Sequence, residues 1–265
     1  MSDLLRKVQL VEYEILKEVD RIARKHNIKY YLGQGTLLGA AKYKKFIPWD
    51  DDIDLLIPYN ELKRLIEVFD KETDSRLLIT NCFIEKHFPV TWTKVRDKET
   101  LSRPYRYKEL PINWGICIDL FPIYPVSNNA FIRKIEYLLY KIANKVIVAE
   151  FTKYEEGHGL LVRVLEKVPI AMRHWYLKIV ISILNSHKDN TKYVLLPCKN
   201  VRIVERDIIF GEEVELEFED AKFPAVSEYD KYLTINYGDW RADLPDDQKR
   251  GHDMALGDIE WKLSK

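Results

Sequence analysis

The stretch from Tyr30 to Pro58, YYLGQGTLLGAAKYKKFIPWDDDIDLLIP, constrains this chain more than any other. It sets Asp50, Asp51, Asp52 and Asp54 directly before the apolar run Leu55-Leu56-Ile57. A solvated acidic turn has no use for Ile53 and the apolar residues that follow, so the pattern reads as a strand entering a core. Alternate residues of a strand share a face, which would project Asp50, Asp52 and Asp54 together and turn Asp51 and Ile53 away. Three like charges on one face repel unless a cation sits among them. Hard carboxylate oxygens suit Mg²⁺ or Mn²⁺, and such an ion would bridge to a substrate phosphate. Upstream, Gly35-Thr36 precedes the helix-like run Leu37-Leu38-Gly39-Ala40-Ala41. A small residue at a helix start offers backbone N–H groups and the positive dipole end to an anion. One stretch thus carries a candidate phosphate cradle and a candidate metal-binding strand.

The residues GTLLGAAKYKKFIPWDDDIDL resemble the signature of the LicD family. That family belongs to the nucleotidyltransferase-fold superfamily and includes bacterial phosphocholine transferases and the fukutin-type proteins. The superfamily pattern is a Gly-Ser or Gly-Thr pair at a helix start, an Asp-apolar-Asp strand, and a third acid on a neighbouring strand. Here Gly35-Thr36 and Asp52-Ile53-Asp54 match it, with a spacing slightly longer than most of the superfamily but like that of LicD proteins. The resemblance implies an α+β fold, a nucleotidyltransferase-like mixed sheet core with flanking helices.

The third acid is sought in Ile116-Cys117-Ile118-Asp119-Leu120-Phe121-Pro122. An ionised carboxylate inside an apolar strand is costly without a cation or hydrogen bonds, so Asp119 faces either an ion or backbone N–H groups. GICIDLFPI resembles the family's second motif, and on that likeness Asp119 is the third acid. Lys94, in the expected strand Val90 to Val95, stands where LicD proteins carry a lysine and could reach a phosphate as a point charge; a solvent-facing lysine fits the same pattern. Near the C-terminus, Tyr237-Gly238-Asp239-Trp240, Leu244-Pro245 and Arg250-Gly251-His252 resemble the family's closing signature. This implies that Arg250 and His252 return to the acids as phosphate-binding or proton-relaying groups.

At 265 residues, with 46% hydrophobic and 32% charged, the chain suits a large globular domain. The 42 basic and 42 acidic residues cancel, which argues against a generic nucleic-acid binder. Cys82, Cys117 and Cys198 are widely spaced, which suits a reducing compartment and offers neither a disulfide framework nor a zinc site. The N-terminal residues lack the apolar core of a signal peptide. The expectation is therefore a cytoplasmic location, at the inner face of the membrane if peripheral contact occurs.

Leu4, Val8, Val11, Ile15, Val19 and Ile22 recur at helical spacing, predicting an amphipathic helix over residues 3–26. Ile28 to Leu32 and Leu77 to Thr80 read as strands, and Asn60 as the cap of a helix reaching Phe69. Residues 131–151 and 160–184 read as helical, with Pro169 breaking or kinking the second stretch. Their mixed cations and apolar residues are open to solvated, packed or membrane-facing readings. Glu215 and Glu217 alternate with apolar residues and read as a solvated strand face. The organisation expected is one LicD-type domain over 1–265, with a mainly helical insertion at about 128–190.

The function implied is transfer of a phospho-alcohol, foremost phosphocholine, from a CDP-activated donor to a hydroxyl of a cell-surface glycan or teichoic acid precursor, free or lipid-linked. Asp52 and Asp54 would hold Mg²⁺ or Mn²⁺ on the pyrophosphate, with Asp50 assisting directly or through a water. Asp119 would bind a second metal or take the acceptor's proton. Gly35 and Thr36 would hold phosphate oxygens, and Lys94 or Lys42 would stabilise the charge transferred or departing. Ribitol-, glycerol- and ethanolamine-phosphate remain alternatives, as do nucleotidyl transfer from an NTP and a binding protein with a spent site.

Overall fold

The computed structural model describes residues 3–73, 75–102, 111–149, 164–165, 167–187, 190–198, 200–249, 251 and 259–261. Its frame is a nine-stranded mixed sheet built around one long strand. That strand, β6 (Cys117–Val126), pairs along its first half with β4 (Thr93–Asp97), antiparallel. On its other edge lies β2 (Asp54–Pro58), parallel to it, and its last three residues pair with β7 (Tyr193–Leu196). Beyond β4 comes β3 (Leu77–Thr80); beyond β2 come β1 (Tyr31–Leu32), β10 (Ala221–Ala225) and β9 (Val214–Phe218). A final strand, β8 (Arg202–Glu205), extends the branch through β7. A separate pair joins β5 (Thr100–Ser102) to β11 (Ile259–Trp261). The α+β expectation holds, with strands of both orientations and seven α-helices among the described residues.

Of the stripe its spacing predicts, helix α1 (Asp3–Lys25) buries Val8, Ile15, Val19 and Ile22 and leaves Leu4 and Val11 half-buried, with Leu16 buried beside them. Together with α3 (Tyr59–Glu72) it covers a core that includes Val95, Ile118 and Leu120. Asn60 does not cap α3. Pro58 does, its backbone extended at φ −52° and ψ 135°, because proline's fixed φ suits the entry to a helix. Helix α2 (Gln34–Tyr43) follows β1 at once.

A second core lies on the other side of β6 and β7. There α4 (Ala130–Val148) and α5 (Ile170–Asn185) pack Tyr140, Ala143, Ile147, Leu177, Val180 and Leu184 against Tyr124 and Leu195. Asn129 caps α4, its side-chain oxygen accepting from the N–H groups of Phe131 and Ile132. Pro169 is the N-cap of α5, so the expected break falls there, and residues 160–163 of the expected helical stretch lie outside the described residues. Trp92 packs against both cores and links them. The remaining helices are α6 (Arg206–Ile209) and α7 (Tyr229–Tyr237).

Strand β1 is shorter than expected, starting at Tyr31 and not Ile28, and two further differences matter for the site. Strand β4 starts at Thr93, later than Val90. The acidic run is not a continuous strand, for β2 begins only at Asp54. The Asp50 N–H turns back to the Ile47 carbonyl, and the Asp50 carbonyl accepts from Gln9 Nε2 at 2.8 Å. With its backbone groups taken by a turn and by α1, this segment has no ladder to join.

Candidate active site

Asp54 and Asp119 stand side by side, paired in register on the parallel strands β2 and β6. Residues in register share a sheet face, so the two carboxylates project together. On the far edge of β6, Lys94 is the antiparallel partner of Asp119, and its ammonium bonds the Asp119 carboxylate. Trp92 Nε1 donates to the other Asp119 oxygen at 2.9 Å. Cys117, two residues back on β6, lies 3.7 Å from the Lys94 nitrogen. Lys94 is thus no solvent-facing strand lysine but a counter-charge to the third acid. Burial pushes its ammonium toward neutrality, yet Asp119 and Cys117 outweigh this and hold its pKa above the ordinary lysine value.

The start of α2 locks onto this point. The Gly33 N–H donates to the Asp54 carbonyl at 2.9 Å, and the Asp54 N–H donates to the buried Thr36 hydroxyl oxygen at 2.8 Å. Thr36 therefore fixes where β2 begins. A Cβ on Gly35 would stand 2.7 Å from the Asp50 carboxylate, so the helix start and the acidic loop approach as closely as glycine permits. Gly33, the N-cap residue, supplies no side-chain acceptor to the first-turn amides. Gln34 holds a left-handed φ of 41°, and its side chain reaches the Tyr232 hydroxyl and the Cys198 sulfur. Such a conformation costs a non-glycine residue of order 1 kcal/mol and persists where its surroundings dictate it.

Asp50, Asp51 and Asp54 are buried, and Asp52 is half-buried. Asp54 is held well above the usual carboxylate range, first by burial, then by the charges of Asp52, Asp119 and Asp50, with Lys94 opposing. The charges of Asp52, Asp119 and Asp50 are thus all felt at Asp54, although of the acidic run only Asp54 lies in β2. Among the described residues, no three metal-ligating side chains are already gathered at one point, and Asp119 is turned to Lys94 and Trp92. The donor set nevertheless fits a hard divalent cation, since Asp54 is disfavoured as an anion by burial and by neighbouring carboxylates, and a positive ion among them would relieve this.

The remaining expected site residues are spread around this centre. Lys42, two turns further along α2, donates to the Ala242 carbonyl at 2.6 Å and pairs with Asp243 at 3.1 Å. It ties α2 to the segment after Trp240. Lys249 lies over the Trp49 ring at 5.8 Å, and a Cβ on Gly251 would stand 2.4 Å from the Trp49 carbonyl. The C-terminal signature thus returns to the residue just before the acids. Arg250 and His252 themselves lie outside the described residues.

Three residues near the acids were given no site role by the sequence, although Tyr237 falls in its C-terminal signature. Trp92 is the indole donor to Asp119. Tyr237 has its hydroxyl pKa raised by burial and then by Asp54, Asp50 and Asp52. Glu12, on α1, is fully buried with no hydrogen-bond partner for either carboxylate oxygen. Burial, followed by Asp52, Cys117, Asp51 and Asp50, drives its pKa well up. A signal for Glu12 existed in the helix spacing, because it falls between Val8 and Ile15 on the buried stripe of α1.

A helix start locked to the first acid-bearing strand, with a further acid in register on the next, is the arrangement of a nucleotidyltransferase-type domain. Residues 27–151 match the family model described as LicD/FKTN/FKRP, nucleotidyltransferase domain. Over those residues the chain is similar to a LicD-type domain. Most of the chain is similar to lipopolysaccharide cholinephosphotransferase LicD of Haemophilus influenzae, 27% identical over 263 residues, spanning 94% of this chain and 95% of that protein. An uncharacterised protein of Rickettsia prowazekii is 36% identical over 62 residues, 22% of this chain and 23% of its own length. One of Rickettsia typhi is 41% identical over 49 residues, 18% of this chain and 16% of its own.

Proposed function

We propose that this protein is a metal-dependent transferase that moves phosphocholine from CDP-choline to a hydroxyl of a cell-surface glycan precursor, working at the cytoplasmic face of the membrane. The observation that carries this reading is the register of Asp54 beside Asp119, with Lys94 and Trp92 held on Asp119. The similarity to a lipopolysaccharide cholinephosphotransferase supports choline and a saccharide acceptor. A teichoic acid precursor offers the same hydroxyl chemistry.

Asp52 and Asp54, with Asp50 beside them, would hold Mg²⁺ or Mn²⁺. When bound, that ion supplies charge neutralisation on the donor's pyrophosphate oxygens. The first turn of α2, at Gly35 and Thr36, orients the same phosphates. Lys94 keeps a positive charge at the sheet face where negative charge develops. The acceptor oxygen forms its bond to the phosphocholine phosphorus as the bond to CMP breaks. Asp119 receives the hydroxyl proton. The protein's part is chiefly positioning and electrostatics, as expected for phosphoryl transfer.

The test is release of CMP from a panel of CDP-choline, CDP-ethanolamine, CDP-glycerol and CDP-ribitol, with CTP alongside. CDP-choline turnover that EDTA abolishes and Mg²⁺ restores is the expected result. Turnover of CTP alone, or full turnover without metal, would overturn the reading. Binding of Mn²⁺ followed by water proton relaxation gives a readout independent of turnover, and Asp54→Asn should weaken it.

A further inference from the structure

The helix pair α4 and α5 leaves an apolar face uncovered. Along α4, Phe131, Ile135, Leu138 and Ile142 recur at steps of three and four and are 74, 42, 48 and 49% exposed. Along α5, Met172, Trp175, Ile179 and Ile183 do the same and are 56, 64, 36 and 39% exposed. Each set is one stripe of its helix. Both stripes belong to a single surface. The helices meet where the Tyr176 hydroxyl donates to the Leu139 carbonyl. On each helix, that seam lies between the buried residues and the exposed stripe, so both stripes emerge on the side away from the core.

The exposed charges on these two helices are of one sign. Lys134, Lys141 and Lys145 form an exposed row beside the α4 stripe, and Lys178 is exposed on α5. Neither helix carries an exposed acid, since Glu136 is buried, bonded to His187 and the Ser127 N–H, and α5 contains no acid. No described helix is long and apolar enough to cross a bilayer.

We propose that the outer face of α4 and α5 lies in the interface of an anionic membrane, its apolar stripes among the acyl chains and its lysines against the headgroups. The pattern of apolar and cationic residues is that of an interfacial helix. A second copy of the chain is a poor occupant, because a face-to-face dimer would bring two lysine rows together with no exposed acid on these helices to answer them. Anionic headgroups supply that counter-charge. The seating does not depend on the transfer chemistry proposed above.

The test is flotation of the full chain with vesicles of phosphatidylcholine alone and of phosphatidylcholine with phosphatidylglycerol in equal parts. Binding to the anionic vesicles, weakened by salt, is expected, with a blue shift of Trp175 fluorescence that Trp175→Phe removes. Changing Lys134, Lys141 and Lys145 to Gln should weaken binding by roughly fivefold per charge. The double variant Leu138→Asp, Trp175→Asp should abolish it. Both variants should retain wild-type activity on a water-soluble acceptor, which separates loss of docking from loss of chemistry. Absence of flotation, equal binding to both vesicle types, or binding unchanged in the variants would overturn the proposal. So would a concentration-dependent dimer that Leu138→Asp, Trp175→Asp dissolves, in a protein that does not float.

Discussion

Two acidic stretches of this molecule look alike in sequence and behave as opposites. Glu215 and Glu217 alternate with apolar residues on β9, an outer strand of the sheet, and both side chains are exposed. Each has a basic partner, Arg24 at 2.8 Å and Lys44 at 2.8 Å. Asp54 is buried where β2 enters the centre of the sheet, and the strongest effects on it after burial are other carboxylates. Exposed ion pairs contribute about 0–1 kcal/mol and need no functional explanation. Carboxylates buried against one another oppose folding, and their presence calls for a cation or a reaction. The contrast shows that an acidic run becomes informative through where its strand lies in the sheet.

Substitutions can break this comparison, and the largest effect belongs at its centre. Asp54→Asn and Asp119→Asn should each lower transfer by at least about 10²–10³-fold, as removal of a single electrostatic group from a reaction centre does. Asp54→Asn should leave the metal-free protein as stable as wild type or more so, since it deletes a charge that Asp52, Asp119 and Asp50 disfavour. CMP-release rates and melting curves recorded in EDTA check both halves. Activity near wild type with saturating metal would remove Asp54 from the reaction.

Gly35→Ala comes next. The added Cβ would meet the Asp50 carboxylate at 2.7 Å, so the acid must move or α2 must shift. A displacement of that size costs about 10²-fold in rate where geometry is demanding. The check is the same assay, with the melting temperature as the control for folding.

A third prediction concerns pH. Asp54 and Glu12 both have pKa values raised above those of the unfolded chain, so the folded state holds their protons more tightly. Stability from these groups is complete below their ordinary carboxylate values and is lost as pH rises through the raised ones. In EDTA, melting temperature should therefore fall as pH increases from about 4. Glu12→Gln and Asp54→Asn should flatten that slope, and a slope unchanged in both would show that other groups control it.

The smallest effects belong to the other stretch. Glu215→Gln and Glu217→Gln should alter stability by no more than about 0.5 kcal/mol and leave transfer unchanged. Denaturant unfolding and the CMP assay would register any larger change, which would erase the distinction drawn between the two stretches.

Much of the site was legible in the linear chain because it depends on local chemistry. Gly35-Thr36 before an apolar run marks a helix start, DDDIDLL marks charge entering a core, and the α1 stripe follows directly from helical spacing. The alternation rule misled at Asp50 and Asp52. It assumed a strand, and a strand exists only where a neighbour offers a ladder, which β6 does from Asp54 onward. Asn60 looked like a cap because its side chain can serve as one, but Pro58 already sets the entry to α3.

The sequence by itself determined which residues carry charge and which short elements they open, since spacing and side-chain chemistry act over a few residues. Tertiary structure decided which charges meet. Asp119 and Asp54 are 65 positions apart and become neighbours only through the parallel pairing of β6 with β2. Lys94 answers Asp119 because β4 runs antiparallel on the opposite edge of β6. Glu12 enters the same field because α1 crosses behind the acidic loop, where Gln9 holds the Asp50 carbonyl. Burial and Coulomb energy depend on distance in space, and no local pattern in the chain encodes that distance.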